Sequence, residues 1–220
     1  MKQVVHMYVK ALATIASRYA PSRILSFDSV HVFKVMQLIE SKGHVSRNIL
    51  CKELSLGEGS VKTLVKHLKA QGIIESTKAG TTITPKGKRI SEQFFSAIPA
   101  ETILAKCSVA LGKFNYAVLL KQYGFALKSG IEQRDAAIRM GAIGATSLLF
   151  KHNRFVMPGT NYDALTKESN TARLLLERLK PEDGDAIVIG SDMEDESRAE
   201  LAAKNAALTT IMAHERHHHM

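Results

Sequence analysis

The chain has 220 residues, a formal net charge of +9 and two cysteines. This length allows one large domain or two small ones. No apolar run is long enough to span a bilayer, and charged residues such as Lys10 and Arg18 interrupt the apolar start, so we expect neither a membrane span nor a signal peptide. Cys51 and Cys107 match no disulfide or zinc spacing, which fits a reducing cytoplasm.

The positive charge lies entirely in one half of the sequence. Residues 1–98 contain 15 Lys and Arg against 6 Asp and Glu, a net charge of +9. Residues 99–220 contain 15 of each and are neutral overall. A polyanion is therefore the expected partner of the first half, because neutralising phosphates releases condensed counterions. The alternative is a solvated basic face that serves solubility.

The first predicted element is an amphipathic helix over residues 2–19. Apolar residues recur at three- and four-residue steps from Val5 through Leu12 to Tyr19, and Pro21 ends the pattern. This helix could cover its own domain or pair with its copy in a dimer.

Residues 28–91 contain a recurring order of short elements. Helices are predicted over 29–41, 46–54 and 60–70, with caps at Asp28 or Ser29, at Ser46 and at Ser60. A turn over residues 56–59 separates the second and third helices. Strands over 73–78 and 81–84 follow, with a hairpin tip at residues 79–80, and a closing helix runs to about residue 97. This order predicts a winged helix-turn-helix, which places its third helix in a DNA major groove.

The predicted third helix carries the main candidate DNA contacts. One face is apolar, and the other offers short polar and cationic side chains that can reach phosphates and base edges. Arg47, at the start of the second helix, is expected at a phosphate. The hairpin tip adds two candidates for the neighbouring backbone or minor groove. The complete predicted set is Arg47, Ser60, Lys62, Thr63, Lys66, Lys69, Lys78 and Thr81.

The second half mixes strands and helices without a repeat. A linker is predicted near residues 98–102, followed by one or two strands within 108–121 and a helix over 131–140. A hairpin is expected over 146–157, turning at residues 152–153. A helix over 165–180 capped by Thr166 or Asn170, a buried strand over 186–190 and an Ala-rich helix over 194–213 complete it. The overall fold class is therefore α+β: an N-terminal winged helix over residues 1–98 and a small α+β domain over residues 103–213.

Several motifs resemble the winged-helix transcription regulators of archaea and bacteria. They are SRNIL at 46–50, GSVKTLV at 59–65, LKAQGIIE at 68–75 and TITPKG at 82–87. The segments GIEQRDAAI at 130–138 and PEDGDAIVIG at 181–190 also resemble an archaeal family of uncharacterised two-domain regulators. The resemblance implies a regulator architecture and no chemistry for the second domain.

Two places in the second domain are weaker candidates. Glu132, Arg134 and Asp135 begin a helix and could line an effector pocket, although capping and surface pairing are the simpler roles. Residues 190–192 lie between a strand and a helix, where anions often bind, but an acidic cluster follows them. His214 and His218 at the His-rich end, residues 214–220, could chelate a metal, yet we assign this segment no function.

These observations predict a cytoplasmic, DNA-binding transcription regulator that binds duplex DNA as a homodimer. Its second domain would sense a small-molecule effector, self-associate, or both. We expect no catalytic residues, metal or cofactor. Two alternatives remain: a small enzyme domain fused to a regulatory winged helix, and a winged helix that contacts protein or RNA.

Overall fold

A computed structural model describes residues 2–16 and 25–213. The chain divides into two compact units, Met1–Phe94 and Phe95–Met220. The predicted Tyr19 end of the first helix, Pro21 and the His-rich end lie outside the described residues.

The N-terminal unit follows the predicted order of elements. Its elements are α1 Lys2–Ile15, α2 Ser29–Lys42, α3 Arg47–Leu54, α4 Glu58–Ala70, β1 Ile74–Thr77, β2 Gly80–Ile83 and α5 Pro85–Ala97, of which the last three residues belong to the second unit. The core is formed by the apolar stripes of these helices, with Phe33 and Phe94 in edge-to-face contact at its centre. Helix α1 covers its own domain, since it packs on α2 and buries Val9, Leu12 and Ile15.

Side chains at three helix starts fix where the chain enters each helix. At α2 the Asp28 backbone N–H donates to Nδ1 of His31 at 2.9 Å. At α3 the Ser46 hydroxyl accepts from the Ile49 N–H, as its predicted cap role requires. At α5 the Thr84 hydroxyl accepts from the Gly87 N–H at 3.0 Å. These contacts fill donors that the first helical turn otherwise leaves without partners.

Helix α4 begins earlier than predicted, which changes the role of Ser60. Its N-cap is Gly57, in an extended conformation, so the helix starts at Glu58 and contains Gly59 in its first turn. Ser60 therefore lies inside the helix and does not cap it. The sequence rule failed because a glycine can serve as an N-cap without offering a side-chain acceptor.

The hairpin β1–β2 is extended by a third segment of backbone. Strand β2 pairs antiparallel with β1, and Val45 forms an isolated bridge with Thr81 through two N–H···O bonds of 2.9 Å. Gly80 is required there, because it has a φ of 137° and a Cβ on it would lie 2.9 Å from the Val45 carbonyl oxygen. The wing is therefore anchored to the loop that leads into α3.

The second unit is a five-stranded antiparallel sheet with helices on both faces. The strand order is β3-β4-β7-β5-β6. On one face α8 packs so closely on β7 that a Cβ on Gly190 would lie 2.4 Å from the Ala199 carbonyl oxygen. On the other face Ile187 and Ile189 join leucines of α7. The boundaries are β3 Glu101–Leu104, β4 Phe114–Leu120, α6 Ile131–Arg139, β5 Gly144–Lys151, β6 Arg154–Val156, α7 Ser169–Leu179, β7 Ala186–Asp192 and α8 Glu196–Ala213.

Two predictions for this unit were wrong in position. The segment expected to be a linker near residues 98–102 contains the start of strand β3, which pairs along β4 from Glu101 to Leu104. Helix α7 begins at Ser169 with Glu168 as N-cap, and neither Thr166 nor Asn170 caps it. The predicted turn at residues 152–153 is confirmed: both residues have positive φ, as a two-residue hairpin turn requires.

Candidate nucleic-acid interface

Helix α4 presents a straight stripe of three lysines on its exposed face. Lys62, Lys66 and Lys69 are all exposed and follow one another at steps of four and three residues. At about 100° per residue they lie within an arc of roughly 60°. The opposite face is buried through Val61, Leu64 and Leu68, so the three ammonium groups point away from the core of their domain. The position of this stripe follows directly from the helical period of the sequence.

His67 and the start of the chain hold this helix in place. Its ring is buried, with Nδ1 2.8 Å from the carbonyl oxygen of Ile15 at the end of α1. The ring also packs edge-to-face on Phe27, with centroids 5.6 Å apart. A side chain on the buried face of α4 thus ties the helix to α1, which restricts its rotation. The helical pattern of the sequence alone placed His67 neither in the core nor in the site.

Ser60 and Thr63 are poorer contact candidates than the lysines. The Thr63 hydroxyl donates to the Gly59 carbonyl oxygen at 2.9 Å, within the helix. Ser60 is half-buried and lies nearer the core side of α4. Neither residue lies on the lysine stripe. Either could therefore contact DNA only if one wall of the groove lies against that side of the helix.

Arg47 lies at the first position of α3 and is exposed. The first N–H groups of a helix have no partner within the helix. In α3 the Ser46 hydroxyl accepts one of them, the Ile49 N–H. Asn48, which was not among the predicted contacts, is exposed and follows Arg47 in this first turn, so its backbone N–H is a second candidate donor. The Ser46 cap was the signal that could have identified this second donor, because phosphates bind well at helix starts.

The wing offers one of its two predicted contacts. Lys78 is exposed in the turn between β1 and β2. Thr81 is only 8 % exposed, and its backbone is taken by the bridge to Val45. Thr81 is thus a structural residue of the wing and not a tip residue, which corrects the prediction. The hairpin was placed correctly, but the sequence did not reveal that Val45 would cover it.

The five cations assigned to this surface form no ion pair within the part of the chain that the structure describes. They are Arg47, Lys62, Lys66, Lys69 and Lys78. The acidic side chain of Glu58 is exposed at the start of α4, where the helix dipole favours it. An unpaired cation that already lies in water needs little desolvation or rearrangement to meet a phosphate.

The three predicted effector residues lie on the surface of α6. Arg134 donates through Nη2 and Nε to Oδ1 of Asp135 at 3.0 and 3.2 Å, and both side chains are about half exposed. Glu132 is exposed in the first turn. A cavity of about 430 Å³ in this unit is lined by other residues, namely Ser96, Pro99, Ala100, Leu119, Lys121, Arg178, Leu179 and Lys180.

Residues 190–192 serve packing and capping. Gly190 is covered by α8, and the Ser191 hydroxyl donates to the Asn115 side chain at 2.8 Å. Asp192 is buried, accepts the N–H groups of Glu194 and Asp195 at 2.9 Å, and lies 3.5 Å from the Arg198 guanidinium. Asp192 therefore organises the turn before α8.

Comparison with known proteins supports the same division of roles. Residues 30–98 match the family model described as the CggR N-terminal DNA binding domain, and residues 111–211 match a domain of unknown function, DUF4443. The N-terminal domain is thus a DNA-binding domain, and the chain has the architecture of a winged helix-turn-helix regulator with a second, α+β domain. The resemblance to archaeal two-domain regulators is confirmed at this level.

One solved structure is similar over most of the chain. It is a hypothetical protein from Pyrococcus horikoshii OT3, with 27 % sequence identity and a TM-score of 0.66. The alignment covers 87 % of this chain and 95 % of the other. No curated protein matches the sequence. Among the described residues, no helix combines the length and apolarity needed to cross a membrane.

Proposed function

We propose that the protein is a transcription regulator that binds duplex DNA by laying α4 into the major groove. The observation that carries this proposal is the stripe of Lys62, Lys66 and Lys69. The stripe is exposed and unpaired within the described residues, and it lies opposite the buried face of the helix in a domain that matches a DNA-binding family. Such a face meets the phosphates that flank the groove.

The flanking elements would fix the position of the helix on the duplex. Arg47 and the first N–H groups of α3 are suited to contact the phosphate backbone on one side of the major groove. Lys78 on the wing is suited to the backbone on the other side or to the adjacent minor groove. Lysines contact phosphates as point charges, whereas bidentate base reading favours Arg, Asn or Gln. We therefore expect strong general affinity from α4 and sequence preference from a pair of copies on spaced half-sites.

The second domain would act by association and ligand binding, with no catalytic step. Its cavity carries Lys121, Arg178 and Lys180. Glu182 and Asp185 already pair with Lys121, at 2.9 and 3.3 Å. Arg178 and Lys180 have no ion pair within the described residues, so an anionic small molecule is the effector class that this lining favours. Such a regulator would act on DNA in the cytoplasm.

The decisive experiment separates DNA from RNA and from nonspecific polyanion binding. Fluorescence anisotropy would be measured with a random 25-base-pair DNA duplex, the matching RNA duplex and heparin as competitor. We expect affinity for DNA above that for RNA, because the deep, narrow major groove of RNA does not admit a helix. Equal or tighter binding of the RNA duplex would favour the RNA-contact alternative, and no binding to either at low salt would refute the proposal.

A further inference from the structure

One face of helix α6 exposes two large apolar side chains to water. The helix buries Gln133, Ala136 and Ala137 and packs on α8 and β5. On its other side Ile131 is 52 % exposed and Ile138 is 49 % exposed. The two are seven residues apart, which places them on nearly the same line of the helix and about 10 Å apart along its axis. A partner that covered this line would remove both from water.

Two charged residues between the isoleucines, Arg134 and Asp135, flank their line symmetrically. At about 100° per residue, Arg134 and Asp135 lie on opposite sides of the Ile131–Ile138 line, each roughly 50° from it. Their side chains are 54 % and 49 % exposed. They lie at the same height along the helix, midway between the isoleucines. Within one copy the two side chains pair with each other from the two sides of the line, with Arg134 Nη2 3.0 Å from Asp135 Oδ1, so the face has an apolar centre line and an ion pair whose positive and negative ends lie on opposite flanks. We call it the α6 face.

Further exposed apolar side chains lie at the end of the sheet that follows α6 in the chain. The pairings Phe114↔Asp192 and Gly144↔Ser191 bring one end of β4, β7 and β5 together. Directly beyond this sheet end lie Leu111, Ile143 and Met193, which are 57 %, 50 % and 49 % exposed. Ile143 follows the end of α6 by four residues, so only a short turn of chain separates the helix from this cluster.

We propose that the α6 face binds the α6 face of a second copy of this chain, which deepens the proposed role of the second domain in dimer formation. The charges select the orientation. If two copies run in the same direction about a two-fold axis parallel to the helices, the positive flank of each meets the negative flank of the other. Arg134 then exchanges its pairing with Asp135 of its own helix for Asp135 of the other copy, on both sides, and Ile131 and Ile138 meet their own counterparts. Antiparallel helices would instead place like charges on the same side.

The size of the surface sets how the dimer is built. A stable interface buries about 800 Å² on each partner, which is more than four side chains of a nine-residue helix provide. Ile143 and Met193 must therefore contribute beyond the end of the helix. Packing of this kind is isologous, so every substitution acts twice in each dimer.

The test uses charge reversal in the full-length chain. Arg134→Asp gives an all-acidic α6 face and Asp135→Arg an all-basic one. By light scattering coupled to size exclusion, we expect each variant alone to dimerise at least about tenfold more weakly than the wild type. An equimolar mixture should recover the dimer, since the two faces are then complementary on both flanks. Recovery on mixing also shows that both variants are folded.

Controls separate this inference from the DNA-binding proposal. Ile138→Asp should weaken the dimer, whereas Ile103→Asp, at a site on β3 that is 55 % exposed, should leave it intact. A wild type that is monomeric at all concentrations, or reversals that dimerise unchanged alone, overturn the inference. Binding of the random DNA duplex is measured in parallel. If only that fails, the regulator proposal falls and the dimer surface stands.

Discussion

Replacing two lysines of the α4 stripe tests the DNA interface most directly. Five exposed cations, Arg47, Lys62, Lys66, Lys69 and Lys78, are assigned to phosphates. At about 0.9 per contact, log K for duplex DNA should fall with log salt at a slope of about −4.5. Between about 50 and 200 mM salt this is a loss of about 500-fold. Lys62→Ala with Lys66→Ala leaves three contacts and a slope of about −2.7, hence a loss of only about 40-fold.

The matched control removes the same charge from another helix of the domain. Lys88 and Arg89 are exposed on α5, and their double alanine variant lowers the net charge equally. Two lost contacts lower the slope by about 1.8, so we expect the stripe variant to bind about 60-fold more weakly than the wild type near 0.1 M salt, one decade below about 1 M. The control should bind almost as tightly as the wild type, because only cations positioned at phosphates release counterions. The assay is fluorescence anisotropy over a salt series. Equal slopes for the two variants would show that α4 is not the contacting helix.

The remaining predictions concern stability and ligand binding. Gly87→Ala should unfold the N-terminal domain, since its Cβ would lie 2.2 Å from the Ile73 carbonyl oxygen, whereas Gly57→Ala meets nothing within 4 Å and should cost far less; urea unfolding compares them. Burial lowers the pKa of His31, and its unprotonated Nδ1 accepts the Asp28 N–H. The contribution of His31 to the free energy of unfolding should therefore be fully present above about pH 6.5 and be lost as the pH falls, by about 1.4 kcal/mol for each unit by which its folded and unfolded pKa values differ. His31→Gln cannot titrate and should flatten this part of the stability–pH curve; an unchanged curve would contradict the assignment. In the second domain, citrate should raise the melting temperature of the wild type but not of Arg178→Ala with Lys180→Ala, and equal shifts would exclude this cavity as the anion site.

The N-terminal domain was largely predictable because its signals are local. Helix periods, the Ser46 and Thr84 caps and the hairpin are set by residues a few positions apart. The prediction failed where a distant contact decides. Thr81 is buried because Val45 pairs with it across 36 positions, and no short-range pattern reports that bridge. His67 likewise gains its role from Ile15, 52 positions away.

The sequence by itself determined where the basic charge lies and which face of α4 carries its lysines, because both follow from composition and the helical period. The tertiary structure alone decided which residues are buried, paired or exposed. It pairs β3 with β4 in a segment that looks like a linker, covers Gly190 with α8 and leaves Ile131 and Ile138 exposed on α6. Burial is a property of contacts between distant segments, and a single sequence does not specify those contacts directly.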